Sequence, residues 1–154
     1  MLKAGERAPE FSLPDQNGRD TSLTSLLNTG ALILWFFSGF PNPISMLAAR
    51  RIGELHADLQ RRGMVVAAVS PHTPTRLQQL RDQHSLPFVL LSDSQKSVAR
   101  MYERTGPLSI RRGTYLIGRG RTIVGSVSDS IGVHGHLAFM REAPELVLAM
   151  PQRP

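Results

Sequence analysis

Three unbroken apolar runs punctuate this chain: Ala31 to Phe37 (ALILWFF), Met64 to Val69 (MVVAAV) and Leu86 to Leu91 (LPFVLL). Continuous runs of this length mark strands buried on both faces, as in parallel sheets. Between the first two, residues 43–61 place Ile44, Leu47, Ala48, Ile52, Leu55 and Leu59 on one helical face, and Gly63 closes the helix. Residues 74–84 predict a second helix with Leu77 and Leu80 apolar, entered through the loop Ser70-Pro71-His72-Thr73-Pro74. Ser92-Asp93-Ser94 opens a third, over 95–103, carrying Val98, Ala99 and Tyr102.

The flanking segments read as smaller elements. Phe11-Ser12-Leu13 alternates ahead of the turn residues Pro14 to Gly18, which predicts a short hairpin. A short helix or turn follows with Leu23, Leu26 and Leu27 inward. Residues 105–111 read as a loop, and segments 114–117 and 122–126 flank Gly118-Arg119-Gly120-Arg121 as a second hairpin. After a loop at 128–136, residues 137–150 predict a last amphipathic helix that Pro144 restarts or kinks. The β-α-β start requires a parallel pair with a right-handed crossover, and the late hairpin adds antiparallel strands. The expectation is one α/β domain over residues 1–154, a thioredoxin-like three-layer sandwich with helices on both faces of a mixed sheet.

Composition narrows the classes. Hydrophobic content of 41% and charged content of 19% suit a globular domain. No apolar run approaches the roughly 18 residues that cross a bilayer, and MLKAGERAPEF lacks the apolar stretch of a secretory signal. The default expectation is cytoplasmic, with no membrane partner. Cysteine is absent, which excludes a disulfide, a thiolate metal site and a thiol nucleophile. The net charge of +6 comes almost wholly from arginine, but the arginines are scattered and no aromatic residues interleave them. No nucleic-acid partner is expected.

The corner after the first strand carries the candidate chemistry. SGF-PNPIS turns the chain into the helix at 43, with Asn42 as N-cap and Pro43 at the first helical position. Ser45 falls in the first turn, beside free backbone donors and the positive end of the helix dipole.

Four stretches, in order and covering about residues 4–147, resemble the peroxiredoxins, the alkyl hydroperoxide reductase/thiol-specific antioxidant superfamily. They are GERAPEFSLPDQNGRDTSL, LILWFF, RRGMVVAAVSPHTPTRLQQLRDQHSLPFVLLSDSQKSVARMY and RRGTYLIGRGRTIVGS. The resemblance implies a thioredoxin-like fold and a site at this corner, where the family writes P-x-x-x-T-x-x-C. There a first-turn cysteine attacks peroxide, and a distant arginine steadies its thiolate. Here Ser38 stands at the Pro position, Asn42 at the Thr position and Ser45 at the Cys position. Arg112, in Arg112-Gly113-Thr114-Tyr115, matches the arginine. A related branch writes C-P-x-C, against which Asn42-Pro43-Ile44-Ser45 keeps only the proline. Ser38, Pro43, Ile44 and Gly113 are the binding positions the comparison implies.

A serine hydroxyl stays protonated near neutral pH without a base and cannot pass through a sulfenic acid. As written, the chain is expected to lack cysteine-based peroxidase activity and to need no cofactor. Three readings stay open. The chain is a redox-inactive binding or regulatory module, holding a small anion or peroxide-like ligand near Arg112. Or it is a thiol peroxidase in Cys→Ser form, which suits Ser as the nearest isostere but not the altered neighbours Ser38 and Asn42. Or it is a Ser45-based hydrolase with His72 as base. Family habit implies a homodimer. Arg112 is expected either to pair with Asp93 or to face an anion pocket at the helix N-terminus. His134-Gly135-His136 has metal-site spacing but reads as loop, with no metal expected, and Met46 reads as packing.

Overall fold

The computed structural model describes residues 1–38, 42–107, 109–128 and 131–150. Seven strands and five helices follow the predicted order. They are β1 (Ser12–Pro14), β2 (Asp20–Ser22), α1 (Leu23–Leu27), β3 (Ala31–Phe36), α2 (Pro43–Arg61), β4 (Met64–Ser70), α3 (Pro74–His84), β5 (Val89–Ser92), α4 (Ser97–Met101), β6 (Gly113–Ile117), β7 (Ile123–Ser128) and α5 (Val133–Leu148).

The central sheet has the order β5-β4-β3-β6-β7. β3 pairs parallel with β4 and antiparallel with β6, β4 pairs parallel with β5, and β6 pairs antiparallel with β7. β3 lies at the centre, and all six of its residues are buried. Its alternation splits the core in two. Ala31, Ile33, Trp35 and Phe37 pack with α2, α3 and α5, joined by Ile52, Leu59, Leu80 and Met140. Leu32, Leu34 and Phe36 pack with α1, α4 and the β1–β2 hairpin, joined by Phe11, Leu23, Tyr102 and Tyr115. This mixed sheet between two helical layers is the expected thioredoxin-like α/β sandwich. Among the described residues, no helix is long and apolar enough to cross a membrane.

The strands start in close contact at the end of the sheet away from the corner. A Cβ built on Gly30 would stand 2.1 Å from the Gly63 carbonyl oxygen, so only glycine permits this approach of β3 to β4. Gly63 itself has φ of +80° and takes the left-handed position after α2.

Four local readings need correction. In α2 the buried residues are Ser45, Ala48, Ala49, Ile52 and Leu59, while Ile44 and Leu47 are 48% and 47% exposed. The inward stripe is rotated by about one residue at the first turn, which points Ser45 into the protein. α4 is shorter than 95–103, because Lys96 at its N-cap has φ of +60° and cannot be helical. α5 begins at Val133, not 137, so His134-Gly135-His136 is helix, not loop. Pro144 lies inside that helix without breaking it. Ala143 and Pro144 are both buried.

Candidate functional site

The corner that ends β3 is held by one backbone bond and several side-chain hydrogen bonds. The Phe37 amide donates to the Val69 carbonyl at 3.1 Å, which carries sheet geometry past the end of β3 to Ser38. Residues 39–41 lie outside the described residues. Asn42 is extended, with φ −122° and ψ 114°, and caps α2 as expected. Its Oδ1 accepts the Ile44 amide at 2.9 Å and the Ser45 amide at 3.4 Å. Pro43 follows at the first helical position. Asn42 Nδ2 reaches back to Ser38 Oγ at 3.5 Å, and Ser109 Oγ donates to the Ser38 carbonyl at 2.9 Å. One asparagine thus joins the strand end to the helix start, and one serine ties in the loop before β6.

Ser45 is fully buried, and its Oγ has no hydrogen-bond partner among the described residues. An unpaired buried hydroxyl is unfavourable by about 1–3 kcal/mol. The environment suits the less polar sulfur of a cysteine better than an oxygen. Among the described residues, no base lies within hydrogen-bonding distance of Oγ. His72, the candidate base, uses its backbone elsewhere: its amide meets Ser70 Oγ at 3.4 Å, and its carbonyl accepts from Ser92 Oγ at 2.6 Å. Burial, and then the Arg76 charge, hold the His72 imidazole below its usual value.

Arg112 precedes Gly113, the register partner of Phe36, so it sits at the same sheet end as the corner. The Thr114 hydroxyl and the Leu116 side chain face the α2 and α5 layer. Strand alternation carried one step back directs Arg112 to that same layer. The expected Arg112–Asp93 pair is not made. The Asp93 carboxylate is buried and instead caps α4, accepting from Val98 N at 3.3 Å, Ala99 N at 2.8 Å and Ser97 Oγ at 3.4 Å. No described side chain bonds to the Arg112 guanidinium. The space between Asn42–Ser45 and Arg112, where an anion pocket is expected, is flanked in sequence by residues 39–41 and 108, which lie outside the described residues.

Arg104 is a buried arginine beside Arg112 that sequence reasoning missed. It is only 4% exposed, and its guanidinium donates to the Glu103 carbonyl at 2.9 Å and to the Arg112 carbonyl at 2.9 Å. A Cβ on Gly113 would stand 2.8 Å from Arg104 Cδ, so the glycine beside Arg112 makes room for Arg104. The only sequence signal was the glycine itself. His136 is buried, and its Nδ1 lies 2.9 Å from Thr114 Oγ1. Among the described residues, no group of three His, Asp or Glu side chains could hold a metal. Met46 is half-buried on α2, in keeping with a packing role.

Comparison with known proteins places this geometry in a wider set. The AhpC/TSA family matches residues 4–126. The peroxiredoxin Bcp of Escherichia coli strain K12 is 32% identical over 114 residues, covering 74% of this chain and 72% of that protein. Among solved structures, the peroxidoxin BcpB of Mycobacterium tuberculosis superposes with a TM-score of 0.89 at 22% identity, covering 99% of this chain and 100% of that one. A cysteine-to-serine mutant of the PrxQ of Xylella fastidiosa superposes with a TM-score of 0.84 at 19% identity, covering 97% of each chain. At these identities the two structures establish the shared fold.

Proposed function

The chain belongs to the AhpC/TSA family of peroxiredoxins, and from that premise we propose that it is a redox-inactive member acting as a binding or regulatory module. The observation that carries this reading is Ser45. By resemblance it stands at the cysteine position of the family pattern, and it is buried, with no hydrogen-bond partner or base beside its hydroxyl among the described residues. The family reaction needs a thiolate that takes one oxygen from peroxide and is then reduced by a thiol. Oxygen at position 45 cannot do this, and no cysteine elsewhere in the chain can substitute.

What the corner keeps is recognition chemistry. The α2 N-terminus carries partial positive charge, and Arg112 adds a full one at the same sheet end. The Ser45 hydroxyl is a hydrogen-bond donor in need of an acceptor. This combination suits a small oxyanion or a peroxide-like ligand between Asn42–Ser45 and Arg112, with Ser38, Pro43, Ile44 and Gly113 shaping the space. A cytoplasmic homodimer completes the proposal.

Titration of the labelled chain with acetate tests the site. The expected result is saturable shifts of the Ile44 and Ser45 amides, weakened in Arg112→Ala. Shifts that do not saturate, or that are unchanged in Arg112→Ala, would contradict it. The competing reading, a thiol peroxidase in Cys→Ser form, is decided by codon 45 of the native coding sequence, where a cysteine codon would overturn the proposal.

A further inference from the structure

At the end of the sheet opposite the corner, Arg7, Arg119 and Arg121 converge on one cavity. It has a volume of about 250 Å³ and is completed by Thr24, Leu27, Asn28 and Gly120. From this arrangement we infer that the cavity is a second, independent anion site, built for a phosphate group.

The arginines are not paired off. Among the described residues, no carboxylate lies within salt-bridge distance of any of the three. Two of them are oriented by backbone carbonyls instead. Arg119 Nη2 donates to Asn28 O at 3.2 Å, and Arg121 Nε donates to Ala8 O at 2.9 Å. A carbonyl fixes a guanidinium plane without neutralising it, and the remaining N–H groups of each fork stay available.

Arg121 is held with particular firmness. Its φ is +66°, a backbone state that non-glycine residues seldom adopt. The Ala8 amide donates to the Arg121 carbonyl at 2.9 Å, so main chain and side chain both clamp it to the N-terminal segment. Arg7 is drawn in by the same segment, which bridges to Thr122 in antiparallel fashion. The Glu10 carboxylate shares the field of Arg121 but is already engaged by the Phe11 and Thr24 amides and the Thr24 hydroxyl.

Size and chemistry select the ligand. The cavity falls below the roughly 300–1,000 Å³ of drug-sized sites, so it takes a small group, not a whole cofactor. Guanidinium forks match the oxygens of a tetrahedral dianion, and charge-assisted bonds to it are the strong ones. Inorganic phosphate and a small phosphate monoester share that chemistry.

Amide-shift titrations of the full chain with inorganic phosphate, and separately with glycerol phosphate, test the inference. Saturable binding of either probe is expected, with shifts at Thr24, Asn28 and Gly120. Arg119→Ala, at an exposed position, should weaken it by about tenfold while leaving the melting temperature unchanged. Arg112→Ala should leave it intact, which separates this site from the corner. A response confined to Ile44 and Ser45, no saturation with either probe, or equal affinity in Arg119→Ala would overturn the inference.

Discussion

Asn42 Oδ1 accepts the backbone N–H of Ile44 at 2.9 Å, and through this bond one side chain fixes the entry of α2 at the end of β3. The same side chain reaches Ser38 Oγ at 3.5 Å, so Asn42 serves as a helix cap and a tie back to the end of β3. Asn42→Ala removes the cap and should lower stability by about 1 kcal/mol. For a domain of this size that is a fall in melting temperature of about 2–4 °C. Asn42→Asp keeps the acceptor and should restore most of the loss in the same melting experiment.

Ser45 offers the converse. Its hydroxyl is buried and unpaired, so its removal relieves a penalty. Ser45→Ala should be neutral to stabilising, by up to about 1–3 kcal/mol, in equilibrium denaturation. A substantial destabilisation would mean that the hydroxyl is satisfied in solution.

Gly30 controls the opposite end of the sheet. A methyl group there meets the Gly63 carbonyl, which is backbone and cannot rotate aside like a side chain. Gly30→Ala must push the starts of β3 and β4 apart and should destabilise by about 1–3 kcal/mol or more. Chemical denaturation of the purified variant measures it directly.

The buried pair Thr114–His136 joins β6 to α5 at 2.9 Å. Thr114→Val keeps the shape but takes away the hydroxyl, and should cost about 1–3 kcal/mol. Thr114→Ser should retain most of the stability, which distinguishes the hydrogen bond from simple packing.

Two histidines set the response to acid. Burial, and then neighbouring arginines, hold His56 and His72 below their ordinary value of 6.5 in the folded protein. The unfolded chain therefore binds protons first as pH falls. Their contribution to stability is complete above pH 6.5 and declines below it towards the lower folded values. Melting temperature should fall between neutral pH and mildly acidic pH, and less so in the double variant His56→Gln, His72→Gln.

Most of this fold is legible in the sequence, because buried strands need continuous apolar runs and helices announce their caps. Asn42-Pro43 fixed the start of α2, and Thr73-Pro74 fixed the start of α3. What stayed hidden depends on tertiary contacts. Ile44 and Leu47 look like core residues, yet the first turn of α2 is rotated so that small Ser45 faces inward. Pro144 reads as a restart or kink, yet it lies buried inside one continuous helix. Asp93 reads as a partner for Arg112, but the free amides of α4 lie closer along the chain and claim it. Arg104 is signalled only by the distant Gly113, since its partners are backbone carbonyls that any residue could supply.

The claim that oxygen at position 45 silences peroxide chemistry is tested most directly by peroxide consumption with a thiol reductant, comparing the unsubstituted chain with Ser45→Cys. The unsubstituted chain should show no turnover above buffer. Ser45→Cys, with a thiol restored at the α2 N-terminus, should gain one oxygen in mass on treatment with hydrogen peroxide. Sustained turnover by the unsubstituted chain, abolished in Ser45→Ala, would contradict the claim.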